Sequence, residues 1–363
     1  MLRLLQDMEH IPSEQWLGQV SCVERQLLTD DIYAVMTEKS KGVYRQKIAK
    51  MAQKSDKTVQ ETVDFLIKSA QKEGKHLGFL LKTEKNSVKK WLYFSLLALS
   101  TILGGVQFYF FVGNLFLAGV SLIPSYFAAK VFIGQLMAAL LPNDYLVRLQ
   151  KDAAPVMKRH CCVLIPSLLT QENIGKLGEK LEMLYLQNRS ANAVYGLLLD
   201  LPESDSRVLP MERKQKKDMQ AYIDRLNDRY GKYFFVCIRK RTFSPTQQKY
   251  IGADRKRGAI EEWIEMVSGG GKTMAVYGAS AKKTEYLLVL DQDTEPEIDS
   301  LRELVSIACH PLHRPVYDEK RKRIVDGYGV LSPSVLAHPL RGRHTLFGRL
   351  LLSVGSTFQY PVT

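Results

Sequence analysis

Cysteine is scarce in this sequence, and its placement excludes two classes of cross-linked domain. The 363 residues include five cysteines, an odd number without C-x-x-C spacing, which argues against a disulfide framework and against a zinc ribbon. Reduced thiols in a cytosolic domain are the plain interpretation. The opening residues, MLRLLQDMEHIP, hold only a short apolar run and soon turn acidic, so they do not resemble a signal peptide. We therefore expect any membrane segment to lie inside the chain.

Three other site signatures are missing. Gly269 to Gly271 and Lys272 lack the GxxxxGK[ST] framework of a phosphate loop, so a flexible connection is the simpler interpretation. His310 and His313 are spaced i, i+3, but neighbouring prolines disrupt a helix there and no second ligand pair follows, which argues against zinc. No Ser-His-Asp arrangement can be argued from spacing.

Positive charge is in excess. Lys and Arg number 51 against 38 Asp and Glu, a formal net charge of +13. Nucleic acid, an anionic membrane surface and a diphosphate substrate would all attract such a chain, and composition leaves the three open. The length suggests two or three domains, and the 45% hydrophobic content allows a large core.

A helical cytosolic region is predicted over residues 1–82. Thr58 and Glu61 form a capping-box pattern, and Gly74 is a typical helix stop. Between them lie apolar residues at helical spacing: Val59, Val63, Leu66, Ile67 and Ala70.

A transmembrane helical hairpin is predicted over residues 89–141. Trp91 to Val112 contains no charged residue, and a run of ~20 residues is enough for a helix to cross the bilayer hydrocarbon. Lysines precede the hairpin and basic residues follow it, so the positive-inside rule places both ends in the cytoplasm and the turn at Gly113 and Asn114 outside.

The second half of the hairpin, Leu115 to Leu141, leaves two alternatives. It is apolar but interrupted by Pro124 and Lys130. It could span the membrane with Lys130 reaching the far interface, or break at Pro124 and lie partly in the interface.

An α/β domain is predicted over residues 155–363, because apolar runs alternate with helical patterns. The predicted strands are Cys161–Ile165, Val194–Leu199, Tyr233–Ile238 and Tyr286–Leu290, and the predicted helices are Gln171–Gln187, Lys214–Tyr230 and Gly258–Val267. A mostly parallel, Rossmann-like nucleotide-binding half follows from this alternation, with ligands bound beyond the carboxyl ends of the strands.

The last predicted strand, Tyr286–Leu290, ends in two carboxylates. Its apolar run without alternation predicts a strand covered on both faces. If the chain stays extended, Asp291 and Asp293 lie on one side and Gln292 on the other. Such a pair suits Mg²⁺ or Mn²⁺ held jointly with substrate phosphates, the DxD arrangement of nucleotide-sugar glycosyltransferases. Acidic residues after a strand also form ordinary turns.

Other strand ends and one helix start supply further donor-binding candidates. These are Pro166 and Ser167 after the first strand, Asp200 after the second, and the basic cluster Arg255, Lys256, Arg257 and Gly258. Cationic side chains and free N–H groups at a helix start can bind a diphosphate. Alternatively, Asp200 is a solvated loop carboxylate and the cluster is a solvated turn or a membrane-facing patch.

The hairpin and six segments, taken in order, resemble the glycosyltransferase family 84 domain of cyclic β-1,2-glucan synthases over nearly all of the chain. The segments are VLIPSLLTQENIGKLGEKLEMLYLQN, LLLDLPESD, GADRKRGAIEEW, VLDQDTE, HPLHRP and GYGVLSP. The family's LDADT matches Leu290 to Thr294, with Gln292 in place of Ala, and its RKRG matches Arg255 to Gly258. His313 stands where family members commonly have Asn.

The resemblance implies a GT-A-like glycosyltransferase of the bacterial inner membrane, multi-pass, with its soluble parts in the cytoplasm. It would use UDP-glucose and a β-1,2-glucan acceptor, with Mg²⁺ or Mn²⁺ on Asp291 and Asp293, Asp291 also serving the donor. Membrane lipid is the other expected partner, and nucleic acid is not expected. Transfer would invert the anomeric carbon.

The family's chains continue through an acidic residue expected to act as base and a Gln/Arg/Trp-type acceptor region, which do not appear before Thr363. The sequence also begins well inside the usual N-terminal part of the family. We therefore expect a fragment at both ends, with the base beyond Thr363. Rival interpretations are another processive synthase of the cellulose or hyaluronan type, a non-catalytic membrane scaffold that keeps the fold, and a nucleic-acid-binding protein favoured only by charge.

The charge pattern yields a topology prediction. In a cysteine-free background, a cysteine at Asn114 is expected to react with a membrane-impermeant thiol reagent added outside the cell, because the hairpin turn lies outside. Cysteines at Ser87 or Asn143 are expected to stay unlabelled. Outside labelling at Asn143 would overturn the hairpin.

Overall fold

The computed structural model describes residues 21–82, 87–140, 145–189, 191–270 and 274–333. Predictions that concern residues before 21, Leu141, Gly271, Lys272 and residues 334–363 lie outside this part of the chain. The chain divides into two compact units. The first combines residues 1–34, 38–147 and 315–363, and the second combines residues 35–37 and 148–314.

Four helices open the described part of the first unit. They are α1 (Cys22–Leu27), α2 (Asp31–Ala34), α3 (Glu38–Lys54) and α4 (Val59–Glu73). The predicted capping box is confirmed, since Thr58 and Glu61 exchange side-chain and backbone hydrogen bonds, and Gly74 ends α4 in the left-handed conformation at φ 61°. A short 3-10 turn, Leu77–Phe79, follows.

Two long apolar helices form a hairpin in this unit. They are α5 (Ser87–Val112) and α6 (Leu115–Leu140), and Gly113 (φ 71°) turns the chain between them. Pro124 lies inside α6 without ending it, so the alternative of a break at Pro124 is wrong. The helices approach closely at two glycines: a Cβ on Gly104 would lie 2.7 Å from the Ser125 hydroxyl, and one on Gly105 would lie 2.5 Å from Leu122.

The hairpin helices are long and apolar enough to cross a membrane, and most of their surface is exposed. The candidate spans are Trp91–Val112 and Leu115–Met137, of which 11% and 22% is buried. Large apolar side chains such as Phe111, at 89% exposure, have no cover within the described residues. These helices therefore do not pack as the core of a globular domain.

The second unit is a layered α/β structure, as the alternation predicts. Its helices are α7 (Ala154–Met157), α8 (Ile174–Gln187), α9 (Pro210–Tyr230), α10 (Arg255–Val267) and α11 (Ser300–Ala308). Its strands are β1 (Cys161–Leu168), β2 (Ala193–Asp200), β3 (Phe234–Ile238), β4 (Thr242–Ser244), β5 (Lys249–Ile251), β6 (Ala275–Gly278) and β7 (Tyr286–Val289). In the first unit, β8 (Val316–Asp318) and β9 (Arg323–Asp326) make a separate hairpin.

A five-stranded sheet, in the order β6-β3-β2-β1-β7, forms the centre of the second unit. Strands β3, β2, β1 and β7 are parallel, and β6 joins antiparallel to β3. The mixed α/β, parallel-rich architecture is thus confirmed. The edge strand β6 and the small hairpin of β4 and β5 were not predicted, because both are too short to show a period.

The predicted end of the first strand is wrong. Pro166 does not end β1, which continues to Leu168. The Leu164 carbonyl accepts from the Leu290 N–H at 3.0 Å, so even-numbered residues of β1 face β7, which ends before Pro166. The missing N–H of Pro166 therefore costs the sheet no hydrogen bond. The prediction that the last strand is covered on both faces is also wrong, because β7 lies at the edge of the sheet and is half-buried.

Helix α10 is held on the sheet by Ala259 and Trp263, which pack with residues of three neighbouring strands: Cys162, Leu164, Leu198, Phe235 and Cys237. Burial raises the pKa of the Cys237 thiol to about 12, so this group stays a protonated, apolar thiol. The core thus fixes one face of α10 and leaves its first turn free to meet the sheet edge.

Close packing inside the sheet gives a stability prediction. A Cβ on Gly196, in β2, would lie 2.1 Å from the Phe235 ring, so Gly196→Ala is expected to cost about 1–3 kcal/mol of unfolding free energy. Gly175→Ala is the control, because nothing lies within 4 Å there and alanine stabilises a helix by roughly 0.5–1 kcal/mol over glycine. Urea unfolding of both variants in detergent checks this. Equal stability of the two would contradict the packing.

Candidate functional site

The carboxyl ends of four parallel strands meet at one edge of the sheet. Ser167 lies at the end of β1, Asp200 ends β2, Arg239 follows β3 and Asp291 comes shortly after β7. Strands of one direction end at the same edge, which is where open α/β sheets bind ligands. The structure therefore gathers the strand-end candidates in one region, which we call the carboxyl edge.

The segment after β7 is a turn, so of the two alternatives the turn is confirmed and the extended conformation is wrong. The Thr294 N–H donates to the Asp291 carbonyl at 3.1 Å, and residues 292 and 293 form the bend. The Gln292 side chain contacts the end of β1, because its Oε1 accepts a hydrogen bond from the Ser167 hydroxyl at 3.1 Å. This hydrogen bond ties the turn to the end of β1.

The basic cluster forms the first turn of α10. The helix begins at Arg255, three residues before the predicted start at Gly258. Lys256 contacts the Asp291 carboxylate, and the two side chains are 46% and 61% exposed. Arg255 instead lies 3.6 Å from Glu203, and Arg257 pairs with Glu261 of its own helix at 2.8 Å. Of the three cations, Lys256 is the one that the structure brings to the acidic turn.

Asp200 is not a solvated loop carboxylate. Its Oδ1 lies 2.8 Å from Nε of Arg239, whose side chain is 2% exposed. Burial raises the pKa of the Asp200 carboxyl above its ordinary value, while the Arg239 guanidinium opposes that rise. The structure assigns Asp200 first of all to a buried ion pair at the end of β2.

Gly258 is required by packing. It is buried in the first turn of α10, where a Cβ would lie 2.2 Å from the Ala253 carbonyl and 3.0 Å from Nη1 of Arg239. Only a residue without a side chain lets the helix start this close to the loop before it. Pro166, by contrast, is half-buried within β1 at the same edge.

Asp291 and Asp293 are the candidate metal ligands. No group of three or more His, Cys, Asp or Glu side chains in the described part of the chain could hold a metal ion. Two carboxylates in one turn do match the way Mg²⁺ is bound, through one or two carboxylates with substrate phosphates and water completing the shell. Within the described residues, Asp293 makes no ion pair, and Asp291 has Lys256 as its cation.

The histidine pair lies apart from these residues, in a 3-10 turn (Pro311–His313). His310 and His313 are buried, with ring centroids 5.3 Å apart, and His313 Nδ1 lies 2.8 Å from the Ile307 carbonyl. Both side chains therefore have partners within the fold.

Sequence reasoning missed two buried arginines that follow β3. Arg239 contacts the Asp200 carboxylate, and Arg241 pairs with Glu212 and donates to the Pro202 carbonyl at 2.5 Å. The rule that singled out Asp200 and Asp291, a charged residue at the end of an apolar run, applies equally to Arg239. The signal available in the sequence was a pair of arginines, one on each side of Lys240, directly after an apolar run.

Comparison with known proteins confirms the resemblance seen in the motifs. No family model matches the chain. The chain is 25% identical, over 384 residues, to the cyclic β-(1,2)-glucan synthase NdvB of Rhizobium meliloti strain 1021. The similarity covers 92% of this chain and 14% of that protein, so the chain spans about one seventh of its relative's length.

Proposed function

We propose that this chain is the donor-binding part of a membrane-bound glycosyltransferase that uses UDP-glucose to build β-1,2-glucan. The observation that carries the proposal is the contact of Lys256 with Asp291, which joins a basic helix start to an acidic turn at the carboxyl edge. Similarity to a cyclic β-(1,2)-glucan synthase supports the sugar chemistry.

In this proposal the second unit is a GT-A-like domain. The diphosphate binds at the first turn of α10, to Lys256 and Arg255 and to backbone N–H groups that have no partner inside a helix. Pro166, Ser167 and Asp200 line the uridine side. Bound at Asp291 and Asp293, Mg²⁺ or Mn²⁺ supplies charge that stabilises the departing UDP.

Lys256 couples the two ligands in this proposal. Its ammonium contacts the carboxylate that a metal ion would use, so metal and ammonium compete for Asp291. A diphosphate draws Lys256 away and frees Asp291, while a metal ion on Asp291 frees Lys256 for the phosphates. Each ligand therefore favours the binding of the other.

The hairpin of α5 and α6 provides the membrane attachment. Both helices are long and apolar enough to span, and their exposed side chains need a non-aqueous cover, which lipid supplies. Basic residues flank the hairpin on both sides, so we place the soluble parts in the cytoplasm of a bacterial cell.

Nucleotide binding should depend on the metal. Calorimetry of the full chain in detergent is expected to show that Mg²⁺ or Mn²⁺ strengthens UDP binding, because the metal joins the diphosphate to the acidic turn. Asp293→Ala should abolish that gain. Equal UDP affinity in the presence and absence of a chelator would show that the metal takes no part in UDP binding.

Competition by Lys256 gives a second prediction. Without nucleotide, Lys256→Gln should tighten Mn²⁺ binding by about 1.4- to fivefold, since an exposed ion pair contributes ~0.2–1 kcal/mol. The same variant should weaken UDP binding. Electron paramagnetic resonance can count free Mn²⁺, and Lys282→Gln, an exposed lysine before β7, is the matched control. Unchanged Mn²⁺ affinity in Lys256→Gln would contradict the coupling.

A further inference from the structure

We propose that Arg239 is a positioning residue for donor binding: its buried guanidinium sets where the first turn of α10 stands relative to the strand ends. The inference rests on the proposed function, because it concerns the same nucleotide site. Arg239 itself is 2% exposed, and its role is to place the groups that touch the ligand.

Three groups from three elements converge on the Arg239 side chain. Its Nε lies 2.8 Å from Asp200 at the end of β2, its Nη2 donates to the Ala253 carbonyl at 2.5 Å, and its Nη1 lies 3.5 Å from Glu262 in α10. Its own backbone N–H donates to the Leu199 carbonyl at 2.9 Å, as part of the sheet. One side chain thus connects β2, β3, the loop before α10 and α10 itself.

Two glycines let these elements come together around the guanidinium. A Cβ on Gly252 would lie 2.7 Å from Nη2 of Arg239 and 2.9 Å from the Asp200 carboxylate. A Cβ on Gly258 would lie 3.0 Å from Nη1 of Arg239. The loop from Gly252 to Gly258, which carries the basic cluster, therefore has its path fixed against this one side chain.

The chemistry of the contact requires arginine. A planar guanidinium can serve three acceptors in different directions at once, whereas a lysine ammonium is a single point of charge on a flexible stem. The site also holds two carboxylates, Asp200 and Glu262, whose pKa values burial raises and Arg239 lowers. In both groups burial is the larger effect on the pKa, and the guanidinium opposes it by favouring the charged form.

Arg241 offers an internal comparison. It follows the same strand, is 3% exposed, and is also paired with a buried carboxylate, that of Glu212. Its other contacts are the Pro202 and Arg207 carbonyls, on the side of α9 rather than α10. Loss of either arginine should reduce stability, but only Arg239 contacts the loop and helix that carry the donor-binding groups.

The test compares Arg239→Lys with Arg241→Lys in the full chain, using calorimetry of UDP binding with Mn²⁺ and thermal unfolding of the same samples. Both variants should unfold at a lower temperature. Arg239→Lys should weaken UDP binding by about tenfold or more, in the range seen when groups that orient ligand-binding residues are changed. Arg241→Lys should bind UDP as the wild type does.

Gly252→Ala covers the case in which Arg239→Lys fails to fold, because it displaces the guanidinium without removing its charge, and it should also weaken UDP binding. Equal losses of affinity in Arg239→Lys and Arg241→Lys, or wild-type affinity in Arg239→Lys or Gly252→Ala, would overturn the positioning role. Absence of UDP binding by the wild type would instead overturn the proposed function, so the two failures are distinguishable.

Discussion

Parallel pairing of β1 with β2 and β7 determines which polar residues of the second unit meet at one edge of its sheet. The register aligns Ser167 with Leu199 and Leu168 with Asp200, so the polar residues that follow each apolar run arrive at one edge. Because β7 joins on the other side of β1, the acidic turn reaches the same edge from a segment 125 residues away, as the Ser167 to Gln292 hydrogen bond shows. Without that topology these residues would be unrelated surface groups.

The charges at the carboxyl edge fall into two kinds. Arg239 and Arg241 are buried and matched by carboxylates, so they hold the loops and cannot be withdrawn without leaving a buried charge unpaired. Lys256 and Asp291 are exposed, and an exposed ion pair contributes only ~1 kcal/mol or less, so a ligand can break it. Buried ion pairs that hold the loops in place, together with an exposed ion pair that a ligand can break, suit a site that binds a charged ligand.

The sequence predicted the features that depend on local pattern. Apolar runs located the four parallel strands, the Thr58 and Glu61 spacing located the start of α4, and an uncharged run located α5. These signals come from residues that are close together in the chain, so a single sequence is enough to recognise them.

What the sequence could not predict depends on residues far apart in the chain. Pro166 was taken to end β1 because nothing local shows that β7 stops before reaching it. Whether Asp291 to Asp293 stay extended or form a turn was left open, because acidic residues after a strand suit both and the Ser167 to Gln292 contact that ties the turn down spans 125 residues. The pairing of Asp200 with Arg239 was missed because 39 residues separate the two, and only the parallel register of β2 and β3 brings them together.

Photo-crosslinking can show whether a nucleotide sugar binds at the carboxyl edge. A UDP-glucose analogue with a photoreactive uracil, irradiated on the full chain with Mn²⁺ and mapped by mass spectrometry, should label the segments that follow β1 and β2. Excess UDP should prevent that labelling. Labelling that excess UDP does not prevent, or that falls only in α9 or in the first unit, would show that the nucleotide sugar does not bind at the carboxyl edge.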